Sequence, residues 1–191
     1  SGGRIDLGVG VGWQCEEYDV VGLDFDKRGA ILDQTLEVCT RLWRENEVSY
    51  ASPGLAFDRI HQMPKPLQPG GVPIWVSGTV NRAVARRLAR FGKYWIPWGQ
   101  DARDIADGIT RMREAVGRAD GDPDGFGVTG SLRVKANAGD GPDLAAVAAD
   151  AAALAKAGVT DLRLTHWPLR FTDRERDLHA FVEAVRGAVG G

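Results

Sequence analysis

The tripeptide Ser77-Gly78-Thr79 contains the residue types that bind an anion. It offers two hydroxyl groups and a glycine at which an anion can approach the backbone. It stands between a predicted strand and a predicted helix, whose first N–H groups lack partners within the helix and attract phosphate. We therefore predict that this turn binds phosphate, and that a side chain at Gly78 blocks the anion while the chain still folds. The alternative is an ordinary capped turn, with Arg82 and Arg86 on a solvated helix face.

Glycines alternate with apolar residues near the start of the chain. The alternation predicts a strand with one face free of large side chains. One face of the strand would present Ile5, Leu7, Val9 and Val11. The other face would present Asp6, Gly8, Gly10 and Gly12. Such a face admits a flat ring of a ligand, and the alternative is close packing on a helix. The spacing differs from the G-x-G-x-x-G pattern of dinucleotide-binding turns.

Three tryptophans and one histidine follow predicted strands, at the sheet edge where ligands bind in parallel α/β folds. Trp13, Trp98 and Trp167 are predicted at the lip of a pocket, and Trp98 and Trp167 are candidates for substrate binding. His166 is a candidate proton donor or substrate contact. The alternative for His166 is a hydrogen-bonded structural histidine.

The sequence contains no recognisable arrangement of a nucleophile, paired carboxylates or metal ligands. Asp120, Asp122 and Asp124 resemble the start of a calcium loop, but Ser131 stands where a bidentate acid is needed and Pro123 interrupts the pattern. We expect a polar turn there and no metal site. The lack of a visible nucleophile favours a bound organic cofactor as the source of the chemistry.

The composition excludes several classes of partner. A net charge of -2 over 191 residues gives no basic excess for binding nucleic acid or an anionic membrane. No apolar run approaches the roughly 18 residues of a membrane span. The chain has two cysteines, Cys15 and Cys39, so we expect no disulfide framework, and a cytoplasmic location fits.

Five strand–helix units follow one another and predict an α/β fold with a parallel sheet covered by helices. The predicted strands lie at 5–11, 73–76, 94–98, within 127–136 and at 161–165. The predicted helices lie at 27–44 with Asp26 as its cap, from Asn81 to Gly92, at 102–119, from Pro142 to Gly158, and from a capping box at Thr172 and Glu175. Residues 47–72 form an excursion with a turn at Pro53-Gly54. Trp75 and Trp95 are expected in the core.

Two architectures are compatible with these units. A doubly wound open sheet is complete with five strands, whereas a closed barrel needs eight strands in about 250 residues. The periodicity alone favours the open sheet. The start of the sequence directly in a strand favours a barrel whose earlier units are missing.

The order of the motifs resembles the luciferase-like monooxygenase superfamily along essentially the whole chain. The segment 1–13 with Glu16, Glu17, Gly22, Phe25 and Arg28 resembles the region around that family's fourth strand. The rest of the match comprises Leu42-Trp43, Pro64-Lys65-Pro66, Gln68, Pro73-Ile74-Trp75, Gly78, Ala85 to Ala89, Gly92, Trp95, Pro97 and the loop Asp122-Pro123-Asp124.

The resemblance implies a partial TIM (β/α) barrel of about five β/α units. One domain would span 1–191 without the family's first three strands, with 47–72 as an insertion-like excursion. It also implies a flavin- or deazaflavin-dependent oxidoreductase or monooxygenase acting on a small organic substrate. The alternative is a non-catalytic flavin-binding or assembly protein. A homodimer or a missing N-terminal segment is expected to complete the barrel.

The resemblance further implies where the cofactor, FMN or F420, would bind. Gly10, Gly12 and Trp13 would approach its ring system, and the turn from Ser77 to Thr79 would hold its phosphate. The sequence is rich in alanine, arginine, glycine and aspartate, as GC-rich coding produces, and this favours F420 over FMN.

Overall fold

The computed structural model describes residues 1–137, 141–166 and 174–190. The strands are β1 (Leu7–Val9), β2 (Val48–Ser52), β3 (Leu55–Ile60), β4 (Ile74–Gly78), β5 (Tyr94–Pro97), β6 (Gly127–Arg133) and β7 (Asp161–His166). The α-helices are α1 (Cys15–Val20), α2 (Arg28–Arg44), α3 (Arg82–Phe91), α4 (Gln100–Arg103), α5 (Ile105–Gly117), α6 (Leu144–Lys156) and α7 (Arg174–Val189). None of the helices in these ranges is long and apolar enough to cross a membrane.

The main sheet has five parallel strands in the order β1-β4-β5-β6-β7. The strands follow chain order from one edge to the other, so the sheet has no point at which the order reverses. A doubly wound sheet requires such a reversal. The architecture is therefore a half-barrel flanked by helices, and the open-sheet alternative is wrong.

The excursion forms an antiparallel hairpin apart from the main sheet. β2 and β3 pair only with each other in the described chain, and they turn at Pro53-Gly54 as predicted. Tyr50 and Phe57 face each other across the hairpin with their rings stacked 6.0 Å apart. This pair supplies the packing that a two-stranded ribbon otherwise lacks.

The two faces of the main sheet differ in character. On the helix-facing side, Val76 and Trp95 are neighbours in register, and both are fully buried in the core. On the opposite, barrel-facing side, Trp75 stacks on Tyr94 with a ring separation of 4.2 Å, and Gly8 lies beside Trp75. Trp95 is therefore a core residue as predicted, whereas Trp75 is half-buried on the barrel-facing side.

Several helices differ from the sequence prediction, including α6, which begins at Leu144 after its cap Asp143 and not at Pro142. α2 begins at Arg28 after a 3-10 turn at Phe25–Lys27, and Asp24, not Asp26, provides a capping carboxylate, which accepts from the Asp26 N–H. The predicted helix 102–119 is divided into α4 and α5 at Asp104. Helix α1 was not predicted, because none of its residues is buried and it has no apolar periodicity.

The last helix, α7, packs on the sheet through some of its apolar residues. Phe181 and Val185 contact a second core cluster around Leu132 and Val147, whereas Leu178 is exposed. The predicted capping box cannot be compared, because Thr172 lies outside the described residues.

Candidate functional site

The carboxyl end of β1 brings a glycine face next to Ser77. A Cβ atom at Gly10 would lie 3.6 Å from the Ser77 Cβ, and one at Gly8 would lie 4.0 Å from the Ile96 Cδ1. Both glycines are exposed. The two positions thus leave an uncovered strip of backbone on the barrel-facing side, of the kind predicted for a flat ring.

Gly12 and Trp13 lie in the loop after β1, and a tyrosine from α1 holds that loop. Gly12 has φ 73°, a conformation that favours glycine, and a Cβ there would lie 3.6 Å from the Tyr18 Cε2. The Tyr18 hydroxyl donates to the Val11 carbonyl at 2.7 Å. Trp13 is 78% exposed. Its indole is therefore available to a ligand at this edge.

The lack of a side chain at Gly78 matters for packing, apart from any role in binding a ligand. Its φ is 154°, and a Cβ there would lie 2.7 Å from the Val84 Cγ2, closer than side chains tolerate. Its carbonyl accepts from the Trp95 Nε1 at 2.9 Å. We therefore expect a side chain at Gly78 to destabilise the fold more than the sequence suggested, because Val84 is buried in the core.

Helix α3 begins with a partly satisfied N-terminus. The Asn81 side chain accepts from the Val84 N–H at 3.0 Å, as predicted for the cap. The N–H groups of Arg82 and Ala83 have no hydrogen-bond partner in the described chain. Two donors of the first turn therefore remain available at the carboxyl edge of β4.

A buried carboxylate holds the turn before α3, and no motif in the sequence marks it. Asp101 is 4% exposed, and its Oδ2 accepts from the Val80 N–H at 2.7 Å. Its Oδ1 accepts from Arg111 at 2.5 Å, so the carboxylate is paired with a cation. Asp101 lies on the short α4, and only the fold brings it to the Val80 loop.

The carboxyl end of β5 lies beside the same turn. A Cβ at Gly99 would lie 3.8 Å from the Thr79 Cγ2, so the two strand ends are in contact. Trp98 is 61% exposed at this edge. His166 is the last residue of β7, which forms the opposite edge of the sheet from β1. Trp167 lies outside the described residues.

The loop that resembled a calcium site is a polar turn. The Asp122 carboxylate accepts from the Asp124 N–H at 3.0 Å within the loop. Asp120 has φ 59°. Across the described ranges, no group of three or more His, Cys, Asp or Glu residues is placed to hold a metal ion.

The sequence model for luciferase-like monooxygenases matches residues 1–184. The chain belongs to this family. A relative in Mycobacterium tuberculosis, the uncharacterized protein Rv0953c, is 30% identical over 121 residues, which cover 62% of this chain and 42% of the relative. The chain thus spans less than half the length of that relative.

Solved structures share the fold at low sequence identity. The monooxygenase RslO1 from Streptomyces bottropensis superposes with a TM-score of 0.59 at 20% identity, covering 100% of this chain and 53% of that one. An F420-dependent secondary alcohol dehydrogenase, solved with an F420-acetone adduct, gives a TM-score of 0.57 at 18% identity, covering 96% and 55%. These likenesses place the half-barrel within larger luciferase-like structures.

The residues at this edge fit a flavin or deazaflavin phosphate cofactor. The strip at Gly8 and Gly10 leaves room for a ring system, which side chains there would obstruct. The hydroxyls of Ser77 and Thr79 and the two free N–H groups of α3 are suitable phosphate donors. The nearby carboxylate of Asp101 is paired with Arg111 and so does not leave an unpaired negative charge.

Proposed function

We propose that this chain carries part of the cofactor site of an oxidoreductase that uses F420 or FMN on a small organic substrate. The observation that supports the proposal is the meeting of the Gly8 and Gly10 strip with Ser77 and the N-terminus of α3. When bound, such a cofactor supplies hydride or oxygen chemistry that no side chain provides. The residues of the protein would then bind, orient and enclose the cofactor and the substrate.

Each predicted residue has a distinct role in this proposal. Gly10 and Gly12 leave space for the ring system, and Trp13 covers it from the loop after β1. The hydroxyls of Ser77 and Thr79 donate to the phosphate, together with the N–H groups of Arg82 and Ala83. Gly78 allows the backbone to pass between the phosphate and Val84. Trp98 contributes to the substrate pocket, as would Trp167 and His166.

F420 is the preferred cofactor in this proposal. The Ala-, Arg-, Gly- and Asp-rich composition favours it, and one structural neighbour is an F420-dependent dehydrogenase. The second candidate is a non-catalytic flavin-binding or assembly protein. Such a protein would bind the cofactor through the same residues without turnover of a substrate.

Titration with FMN, F420 and riboflavin tests the proposal. Riboflavin lacks the phosphate, so FMN should bind more tightly than riboflavin in the parent protein. In the double variant Ser77→Ala with Thr79→Ala, FMN affinity should fall about tenfold or more, because two hydrogen bonds to a charged group are lost. Riboflavin affinity should stay the same. The control Thr35→Ala removes an exposed hydroxyl on α2.

Turnover then separates the two candidates. Reduction or oxidation of bound cofactor with an added organic substrate supports the oxidoreductase, and binding without turnover favours the non-catalytic protein. Equal affinity for FMN and riboflavin in every variant would contradict the phosphate assignment.

A further inference from the structure

The barrel-facing side of β6 and β7 carries cations that have no carboxylate partner among the described residues. Along β6, Val128 and Leu132 are buried on the helix-facing side, so the alternate residues Ser131 and Arg133 point to the barrel-facing side. Arg163 of β7 is the register neighbour of Ser131. Arg133 and Arg163 are both exposed, and neither forms an ion pair with a described residue.

Acidic and basic groups on this side of the sheet are separated along the strands. Asp6 and Asp161 lie near the amino ends, where Asp6 accepts from the Trp75 Nε1 at 2.9 Å. Burial raises the pKa of Tyr94 between them, and the negative charges of Asp161 and Asp6 add to the increase. Arg133 is the last residue of β6, and Arg163 lies two residues beyond Asp161 on β7, so both cations lie on the carboxyl side of the acidic groups. The charge distribution therefore favours an anion at the edge where parallel α/β folds bind ligands.

A buried hydroxyl without a partner lies beside these cations. Thr129 is 5% exposed, and its Oγ1 has no hydrogen-bond partner among the described residues. A buried polar atom of this kind is rare in a stable fold unless a ligand or water satisfies it. The orphaned hydroxyl is thus a second observation, independent of charge, that leaves room for a hydrogen bond to a ligand or a water molecule.

The hydroxyl lines a small cavity between β5 and β6. The two strands pair at Tyr94 and Trp95 but not beyond, and the gap at their carboxyl ends holds a cavity of about 50 Å³. Thr129, Ser131, Arg163 and Ile96 line it, together with apolar residues of α4, α5 and α6. A water molecule occupies about 30 Å³ in the liquid, so the cavity accommodates one ligand oxygen, while the remainder of the ligand must lie on the open barrel-facing surface.

We propose that Thr129, Ser131, Arg133 and Arg163 form an oxyanion subsite, and that the substrate of this protein carries a carboxylate or another oxyanion. This inference rests on the proposed function, because it names the class of substrate for the same site. The oxyanion would receive charge-assisted hydrogen bonds from the arginines and a hydrogen bond from the Thr129 hydroxyl. The subsite is separate from the proposed phosphate site, because β5 lies between β4 and β6.

Nuclear magnetic resonance titration of the ¹⁵N-labelled protein tests the subsite. Sodium acetate and inorganic phosphate are the probes, each added at constant ionic strength. We expect saturable amide shifts at Ser131 and Arg163 with at least one probe, and the probe that binds identifies the oxyanion class. Shifts that do not saturate there, or that saturate only at 77–83, would overturn the inference.

Two variants and a control assign the groups. Arg163→Gln should weaken the acetate or phosphate affinity about tenfold, as expected when a charge-assisted hydrogen bond is lost. Thr129→Val should weaken it about threefold while leaving the melting temperature unchanged or higher, because an unpaired buried hydroxyl is removed. Arg186→Gln removes an exposed cation on α7 and should have no effect. Equal affinity in all three variants would overturn the assignment.

Addition of FMN distinguishes the two proposals. If the sites are separate, the shifts at Ser131 and Arg163 persist in the presence of FMN, and Arg163→Gln binds FMN as the parent does. If Arg163→Gln loses FMN as well, the arginine belongs to the cofactor phosphate, and the substrate subsite is refuted. If FMN fails to bind at all, the cofactor proposal fails while the acetate and phosphate titrations still test the subsite.

Discussion

Asp101 shows how a residue with no sequence signature fixes the geometry of the candidate site. Its carboxylate joins the Val80 N–H, in the turn before α3, to the Arg111 guanidinium on α5. The sequence predicted the functional groups of the turn, Ser77 and Thr79, from their position after a strand. It could not predict Asp101, because the contact between residues 80 and 101 depends on how α4 sits against the neighbouring strand end.

The contribution of Asp101 can be measured against a matched residue. Asp101→Asn should lower the free energy of unfolding by about 2 kcal/mol, because a buried charge-assisted pair is lost. Asp107→Asn removes the other carboxylate that binds Arg111, at 2.6 Å, but Asp107 is 55% exposed. Its cost should therefore stay below about 1 kcal/mol. Urea denaturation compares the two variants, and equal losses would contradict a special role for Asp101.

At the scale of elements, the parts predicted best were those with strong periodicity and a clear cap. Helix α3 begins after Asn81 and ends before Gly92, the two residues that the sequence marked as its boundaries. The hairpin followed from Pro53-Gly54. In contrast, the division of 102–119 into two helices was missed, because the break at Asp104 has no proline or glycine to mark it. The nearby glycine, Gly108, lies inside α5 and does not mark the break. It allows close packing, since a Cβ there would lie 2.7 Å from the Asp101 carbonyl oxygen.

The junction between β4 and α3 gives a prediction about element packing. Gly78→Ala should lower the free energy of unfolding by about 2 kcal/mol, through a clash with Val84 and an unfavourable φ. Gly22→Ala shares a positive φ of 68° but has no neighbour within 4 Å. Gly22→Ala should lower the free energy of unfolding by only about 1 kcal/mol, because it has the unfavourable φ without the clash. Chemical denaturation measures both, and an equal loss in the two variants would show that the contact with Val84 is unimportant.

At the scale of the whole molecule, the main sheet has two open edges in the described chain. β1 pairs only with β4, and β7 pairs only with β6. The sequence resemblance predicted a partial barrel of this kind, and the strand order confirms it. Periodicity alone favoured the wrong architecture, because it identifies strand–helix units without showing whether successive strands reverse their order. What covers the open edges therefore remains a proposal, either a second copy or an N-terminal segment.

Hydrogen exchange at several protein concentrations tests whether a second copy covers these edges. Amides of β4 and β5 should exchange slowest at every concentration, because Val76 and Trp95 are fully buried beside them. Amides of β1, which has three residues and one paired side, should exchange fast in dilute solution. If copies associate through open edges, protection of β1 should rise with concentration, because unpaired strand edges bind other strands. Sedimentation at the same concentrations should show the corresponding increase in mass. A constant monomer mass with unchanged, fast exchange in β1 would refute self-association and leave an N-terminal segment as the expected cover.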